Sequence, residues 1–319
     1  MSSNARSATN PVKDEVKASG KFVRQPYTIR DRFSADGSTA FPAERDRYHL
    51  YVSLACPWAH RSIIVRKLLG LEDVISMSVV DPVRDEKGWA FRDGPGHSED
   101  PVNGFAYLSE AYLRTDPNYT GRYTVPCIWD RKTGRLVTNN FPDITIDFET
   151  QFTEFSNPDV DLYPEQLRDE IDAVNEVIYE DVNNGVYRAG FASTQDAYEE
   201  AVGAVFARFG WLEDRLSRQR YLVGDQLTES DIRLFPTLVR FDVAYHYHFK
   251  CNLWRLVDYP NLWGYARDLY QRPGFGETVN FDHIKRHYFM THPHINPTRI
   301  VPKGPILDWL EPHGRERLG

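Results

Sequence analysis

The stretch at 51–70, "YVSLACPWAHRSIIVRKLLG", places a short apolar run directly before a segment with helical apolar spacing. Pro57 suits the first position of a helix, because its missing N–H would have no partner there. The pattern predicts a strand over 48–54 and a helix over 57–69. Cys56 then lies at the junction, at the helix N-terminus.

A thiolate at this point would face unpaired backbone N–H groups and the positive end of the helix dipole. The dipole alone contributes about 0.3–1 kcal/mol, which is less than one pKa unit. We therefore expect the N–H groups of Trp58 and Ala59 to lower the Cys56 pKa further. The alternative is that Cys56 is a small buried hydrophobe.

Ala59 occupies the position where a dithiol oxidoreductase carries its second cysteine. A mixed disulfide on Cys56 would therefore have to be cleared by a thiol from outside. This favours a reductase that consumes a small-molecule thiol. The other two cysteines, Cys127 and Cys251, are interpreted as packed residues.

A second element is "TVPC", in which Pro126 precedes the third strand. If the Val125–Pro126 bond is cis, the backbone of Val125 could pair with an extended thiol peptide as an added strand does. If the bond is trans, Pro126 simply begins an edge strand.

The chain has 319 residues, with 41% hydrophobic and 26% charged residues, a net charge of −8 and three cysteines. The negative charge argues against a nucleic-acid partner, and no apolar run approaches the roughly 20 residues of a membrane span. The first 20 residues lack the apolar core of a secretory signal. With few cysteines, we expect a cytoplasmic protein with no disulfide framework.

Composition and hydrophobic periodicity divide the chain into an extension over 1–45, an α/β domain over 46–157 and an all-helical domain over 158–319. Within the first domain, further strands are expected at 74–80, 124–130 and 135–138, with a short helix at 108–114. The second domain carries helical patterns at 165–184, 195–217, 230–246 and 262–272. Thr228 and Asp231 form a capping box at the third of these helices, so Asp231 is interpreted as structural.

Ten histidines invite a metal hypothesis. His283 and His287 are one helical turn apart, but no cysteine accompanies them and no His-Glu-x-x-His motif occurs. We expect no metal site, and interpret the histidines as partly exposed residues at helix ends and turns.

The sequence resembles the glutathionyl-hydroquinone reductases, the Xi class of glutathione transferases, from about residue 45 to 305. The resemblance rests on "RYHLYVSLACPWAHR", "LSEAYLRTDPNYTGRYTVP", "NNGVYRAGFA" and "HINPTRIVPKGP". It implies a thioredoxin-like domain followed by a helical domain, and a homodimer. It also implies a nucleophilic cysteine that takes the thiol from a glutathionyl-hydroquinone, after which a second glutathione clears the enzyme. No tightly bound cofactor is implied.

Site residues follow from the same resemblance. Cys56 is the nucleophile, Trp89 and Val125 line the glutathione site, and Arg122 lies close to it. Tyr187 and Tyr288 match tyrosines that lie over the quinol ring, where a phenol can hydrogen-bond the ring oxygen.

The sequence departs from the family where a Glu–Ser pair would hold the γ-glutamyl end of glutathione. Asn140 and Phe141 stand there, followed by Pro142. An amide beside an aromatic ring suits a neutral polyhydroxylated group better than a zwitterion. This predicts that a thiol such as mycothiol could replace glutathione, unless Asp143 restores the acidic contact.

A different class of function is also open. Glutathione transferase folds serve as non-catalytic binding modules as well as enzymes. Such a module would have no use for an unpaired cysteine beside a ring pocket, which favours the enzyme.

Overall fold

The structure is a computed structural model that describes residues 15–318. Its sheet has four strands in the order β2–β1–β3–β4. They span Tyr48–Val52 (β1), Ser76–Val79 (β2), Cys127–Asp130 (β3) and Arg135–Thr138 (β4). β2 runs parallel to β1, whereas β3 and β4 are antiparallel to their neighbours.

Three helices accompany this sheet. They are Pro57–Leu68 (α1), Leu108–Thr115 (α2) and Phe141–Gln151 (α3). A parallel pair of strands needs a crossover, and α1 provides it between β1 and β2. α1 packs against α3 and also against the helical half, so its N-terminus lies between the two halves of the chain.

The second half is helical, as predicted. Its helices are Arg168–Ile178 (α4), Gly185–Gly190 (α5), Gln195–Arg218 (α6), Glu229–Arg240 (α7), His246–His248 (α8), Pro260–Gln271 (α9) and Phe281–Thr291 (α10). The last of these, α10, was not among the predicted segments.

Two of the predicted helices are not continuous α-helices. The segments 165–184 and 230–246 each change to π-helical turns, at Tyr179–Asn183 and Phe241–Tyr245. Such wide turns frequently occur at functional sites. Here they place Tyr187 and Tyr245 beside each other, with the two rings 5.8 Å apart.

The predicted capping box is confirmed. The backbone N–H of Thr228 donates to Asp231 at 2.8 Å, and the side chain of Thr228 caps the first turn of α7 in return. Asp231 also accepts from the Tyr265 hydroxyl and is fully buried. Its role is therefore structural.

The described part of the predicted extension, 15–45, is packed onto the body of the protein. Phe22, Phe33 and Phe41 are each less than 5% exposed. The backbone of Ile29 accepts from Asn139 at 3.0 Å, so the segment follows the outer edge of β4. We call 15–45 the N-terminal arm.

Within residues 15–318, no helix is both long enough and apolar enough to cross a membrane.

Candidate active site

Cys56 is the N-cap residue of α1, as predicted, with extended backbone angles. Its side chain is 9% exposed and faces a cavity between the two halves of the chain. The Sγ atom donates to the carbonyl oxygen of Val125 at 3.4 Å. Cys127 and Cys251 are fully buried elsewhere, which agrees with their interpretation as packed residues.

The electrostatics of Cys56 correct one expectation. Burial raises the Cys56 pKa above that of an ordinary thiol. The N–H groups of Ala59 and Trp58 and the charges of Arg240 and Arg24 lower it, but they do not offset burial. The prediction of a lowered pKa was wrong because local sequence shows the helix N-terminus and not the depth of the thiol.

The second predicted element also faces the cavity. The Val125–Pro126 peptide bond is cis, and Val125 lines the cavity wall beside Cys56. Trp89 lies on the same wall, stacked on His287 with the ring centroids 5.0 Å apart. Cys56, Val125 and Trp89 therefore come together although they are far apart in the chain.

The two predicted tyrosines meet across the cavity. The hydroxyls of Tyr187 and Tyr288 are 2.5 Å apart, and that of Tyr245 is 2.8 Å from Tyr288. Burial raises the pKa of all three phenols, so they stay protonated and can donate hydrogen bonds. Tyr245 was not predicted, since it lies in a π-helical turn that sequence spacing does not reveal.

The N-terminal arm supplies a wall of the cavity that the sequence did not predict. Glu15, Phe22, Arg24 and Tyr27 all line it. Glu15, which is 1% exposed, accepts from Arg122 at 2.8 and 2.9 Å and from the N–H of Gln25. The arm is therefore tied to the predicted Arg122 by a partly buried ion pair.

Asn140 and Phe141 lie outside the set of described residues that line the cavity. Asn140 donates to Asp143 at the start of α3. Phe141 lies behind Tyr27, with the two rings edge to face and 5.4 Å apart. Tyr27 does line the cavity, so the arm lies between the start of α3 and the cavity. The prediction of a thiol such as mycothiol assumed that Asn140 and Phe141 face the thiol. The two residues are not among the described residues that line the cavity, so this assumption has no support from the structure.

The histidines are more deeply buried than expected. The interpretation as partly exposed residues was wrong for His248, His283, His287 and His292, which are each at most 8% exposed, whereas His246 is partly exposed and His294 is exposed. Burial lowers the pKa of His248 and His287 to about 3. Among residues 15–318, no group of three or more His, Cys, Asp or Glu side chains could hold a metal ion.

Comparison with known proteins gives the family. Residues 55–151 match the glutathione S-transferase N-terminal domain, and residues 195–268 match the glutathione S-transferase C-terminal domain. The chain is 51% identical to the glutathionyl-hydroquinone reductase YqjG of Escherichia coli over 310 residues, which cover 95% of this chain and 94% of that protein.

Solved structures agree with this result. The glutathione-bound structure of YqjG superposes with a TM-score of 0.88 at 52% identity, covering 90% of this chain and 96% of the other. The Xi-class transferase of Natrialba magadii gives a TM-score of 0.90 at 48% identity, with coverage of 94% and 96%. The fold is thus a thioredoxin-like domain followed by an all-helical domain, and the chain belongs to the Xi class of glutathione transferases, the family of the glutathionyl-hydroquinone reductases.

Proposed function

We propose that the protein is a glutathionyl-hydroquinone reductase that uses Cys56 as its nucleophile. One observation carries the proposal: Cys56 is the single cysteine among the described residues that lines the cavity, and it faces donor phenols across it. Family membership supports the reaction class. The relative YqjG is named for this reaction, and its structure binds glutathione.

In the first step, the Cys56 thiolate attacks the sulfur of the conjugate. A disulfide forms between Cys56 and glutathione, and the bond between that sulfur and the ring carbon breaks. The electron pair of the broken bond goes to the ring carbon, which takes up a proton to give the free hydroquinone. The cysteine sulfur is oxidised and the ring is reduced.

In the second step, the thiolate of a second glutathione attacks the glutathione sulfur of this mixed disulfide. Glutathione disulfide leaves and Cys56 returns as the thiolate. The sum of both steps is one conjugate plus one glutathione giving one hydroquinone plus one glutathione disulfide. Ala59 accounts for the need of an outside thiol, because α1 carries no second cysteine.

Tyr187 and Tyr288 are assigned to the ring. Their hydroxyls are protonated and adjacent, so they can donate to a hydroquinone oxygen as negative charge develops on it. Trp89 and Val125 are assigned to binding of the thiol. Arg122, which is paired with Glu15, lines the same cavity and is assigned to the same site.

We assign the thiol to glutathione rather than to a neutral sugar thiol. Among residues 15–318, the cavity is lined by three guanidinium groups, Arg24, Arg84 and Arg122, and by one carboxylate, Glu15. This excess of positive charge suits a thiol that carries carboxylates. Asn140 and Phe141, which suggested mycothiol, do not line the cavity among the residues described.

We also infer a homodimer, on the family resemblance and on three exposed apolar side chains close together in sequence. Tyr247, Leu253 and Trp254 are 72%, 56% and 60% exposed. Light scattering should give twice the 37.0 kDa mass of the chain. A mass equal to one chain at micromolar concentration would contradict the inference.

The reaction is tested by incubating the protein with glutathionyl-hydroquinone and glutathione and quantifying the products chromatographically. We expect hydroquinone and glutathione disulfide in equal amounts with the natural protein, and neither with Cys56→Ser. The matched control, Cys127→Ser, should keep most of the activity. Release of hydroquinone by Cys56→Ser at the natural rate would refute the proposal.

A further inference from the structure

The guanidinium of Arg84 lines the cavity without a polar partner. It makes no hydrogen bond and no ion pair with any residue from 15 to 318, and its Nε atom is buried. Its guanidinium carbon lies 5.2 Å from the centroid of the Trp89 ring. Arg84 as a whole residue is partly exposed, but a buried donor such as its Nε is costly when it has no hydrogen-bond partner.

Acidic residues of the same loop could have paired with Arg84 but do not. Asp85 binds Arg92 and the Tyr107 hydroxyl, and Asp81 lies 3.5 Å from the same arginine. Both acids therefore neutralise Arg92, on the outer side of the loop. The loop thus leaves Arg84 uncompensated while its neighbours are paired.

The other two guanidinium groups of the cavity differ from Arg84 in this respect. Arg122 is paired with Glu15, and Arg24 donates to the side chain of Asn184 at 3.2 Å. Nη2 of Arg24 is also buried without a partner, but Arg84 is the guanidinium of the cavity wall that makes no hydrogen bond and no ion pair with any residue from 15 to 318.

The side chain of Arg84 lines the same cavity as the Cys56 thiol. Burial and the nearby charge of Arg122 lower the pKa of Arg84 to about 10, which leaves it charged at neutral pH, and the charge of Glu15 acts in the opposite direction. Arg84, Trp89 and Cys56 line one cavity, so a ligand held there is within the same enclosure as all three.

We propose that Arg84 binds a carboxylate of the ligand that reacts at Cys56. A guanidinium donates two parallel hydrogen bonds to a carboxylate, and the carboxylate would supply the missing counter-charge. The inference rests on the proposed function and specifies its ligands as carboxylates. The carboxylate has two possible sources: the glycine end of glutathione, or an acidic substituent on the hydroquinone ring.

The first arm of the test needs no turnover. S-methylglutathione, whose thiol is blocked, and the same compound with its glycine carboxylate converted to an amide are titrated calorimetrically into the natural protein and into Arg84→Gln. If the glycine carboxylate is the partner, the acid binds the natural protein at least tenfold more tightly than the amide, and Arg84→Gln abolishes the difference.

The second arm compares glutathionyl-hydroquinone with a conjugate whose ring carries a carboxymethyl group. If the ring carboxylate is the partner, Arg84→Gln lowers kcat/KM at least tenfold more for the conjugate with the ring carboxylate than for the conjugate without it. Lys87→Gln, which removes an exposed cation of the same loop, is the matched control and should alter neither arm. Thermal unfolding checks that both variants are folded.

The Arg84 proposal is overturned if Arg84→Gln changes acid and neutral ligands equally in both arms. An absence of hydroquinone release by the natural protein would instead refute the proposed function. The calorimetric arm still reports on Arg84 in that case, so the two failures are distinguishable.

Discussion

Arg240, at the end of α7, holds the backbone that presents Cys56. Its guanidinium donates to the carbonyl of Ala55 at 2.9 Å and to that of Leu54 at 2.9 Å, although 185 and 186 residues separate these pairs. It also contacts His60 at 2.9 Å. The helical half thereby fixes the turn between β1 and α1. The positive charge of Arg240 also favours the Cys56 thiolate.

Replacing Arg240 with Gln should therefore raise the Cys56 pKa, because a positive charge is lost. The rate of alkylation by iodoacetamide as a function of pH should move to higher pH. Arg240→Lys should show a smaller rise in the Cys56 pKa than Arg240→Gln, because lysine keeps the positive charge but lacks the planar set of N–H donors of a guanidinium.

Arg66→Gln is the matched control for Arg240. Arg66 also holds backbone carbonyls, those of Ile75 and Glu72, but at the far end of α1. The Arg66→Gln variant should lose about 1–3 kcal/mol of stability, because these carbonyls lose their donor. The pH dependence of Cys56 alkylation should stay that of the natural protein. An unchanged profile in Arg240→Gln would show that Arg240 acts only on stability.

The tyrosine pair should act on the ring and not on the thiol. We expect Tyr187→Phe and Tyr288→Phe to lower kcat with glutathionyl-hydroquinone about tenfold or more, because a donor to the ring oxygen is lost. Reduction of hydroxyethyl disulfide, which has no ring, should be nearly unchanged. Equal losses on both substrates would assign the phenols to folding or to the thiol site.

The pair between Glu15 and Arg122 should hold the N-terminal arm against the body. Glu15→Gln leaves Arg122 without its counter-charge, at a cost of about 1–3 kcal/mol. Limited trypsinolysis should then cleave after Lys17 and Lys21 faster than in the natural protein. Glu200→Gln is the control, because its ion pair with Lys21 is about half exposed and should contribute little. Equal cleavage rates in Glu15→Gln and the natural protein would contradict this role.

Acid should destabilise the fold through its buried histidines. Burial lowers the pKa of His49 to about 3, against an ordinary value near 6.5, so the unfolded chain takes up a proton that the folded one does not. The resulting loss of stability begins as pH falls below about 6.5 and continues to about 3. At pH 5.5 this histidine alone would cost about 1.4 kcal/mol.

Urea unfolding from pH 7.5 to 5.5 measures this effect. His49→Gln should show a smaller fall in unfolding free energy over that interval than the natural protein. The ring of His49 lies between the hydroxyls of Ser76 and Ser78, away from the residues that line the cavity. An equal fall in both proteins would mean that His49 is not the titrating group.

What sequence patterns could predict here was local, whereas the family resemblance supplied the distant site residues Trp89, Arg122, Val125, Tyr187 and Tyr288. The β1–α1 junction at Cys56, the capping box at Thr228 and the two packed cysteines follow from patterns a few residues long. Glu15 meets Arg122 across 107 residues of chain, and Arg240 reaches Ala55 across 185. No periodicity marks such contacts, so the cavity wall formed by the N-terminal arm and the raised Cys56 pKa needed the structure.

The central claim is that Cys56 takes the thiol from the conjugate. It is tested most directly in a single turnover, with protein in excess over glutathionyl-hydroquinone and no free thiol, followed by intact-mass analysis and peptide mapping. The account predicts one hydroquinone released for each glutathionyl group gained, with that group on Cys56. Hydroquinone release without a protein adduct, or with the adduct on Cys127, would contradict it.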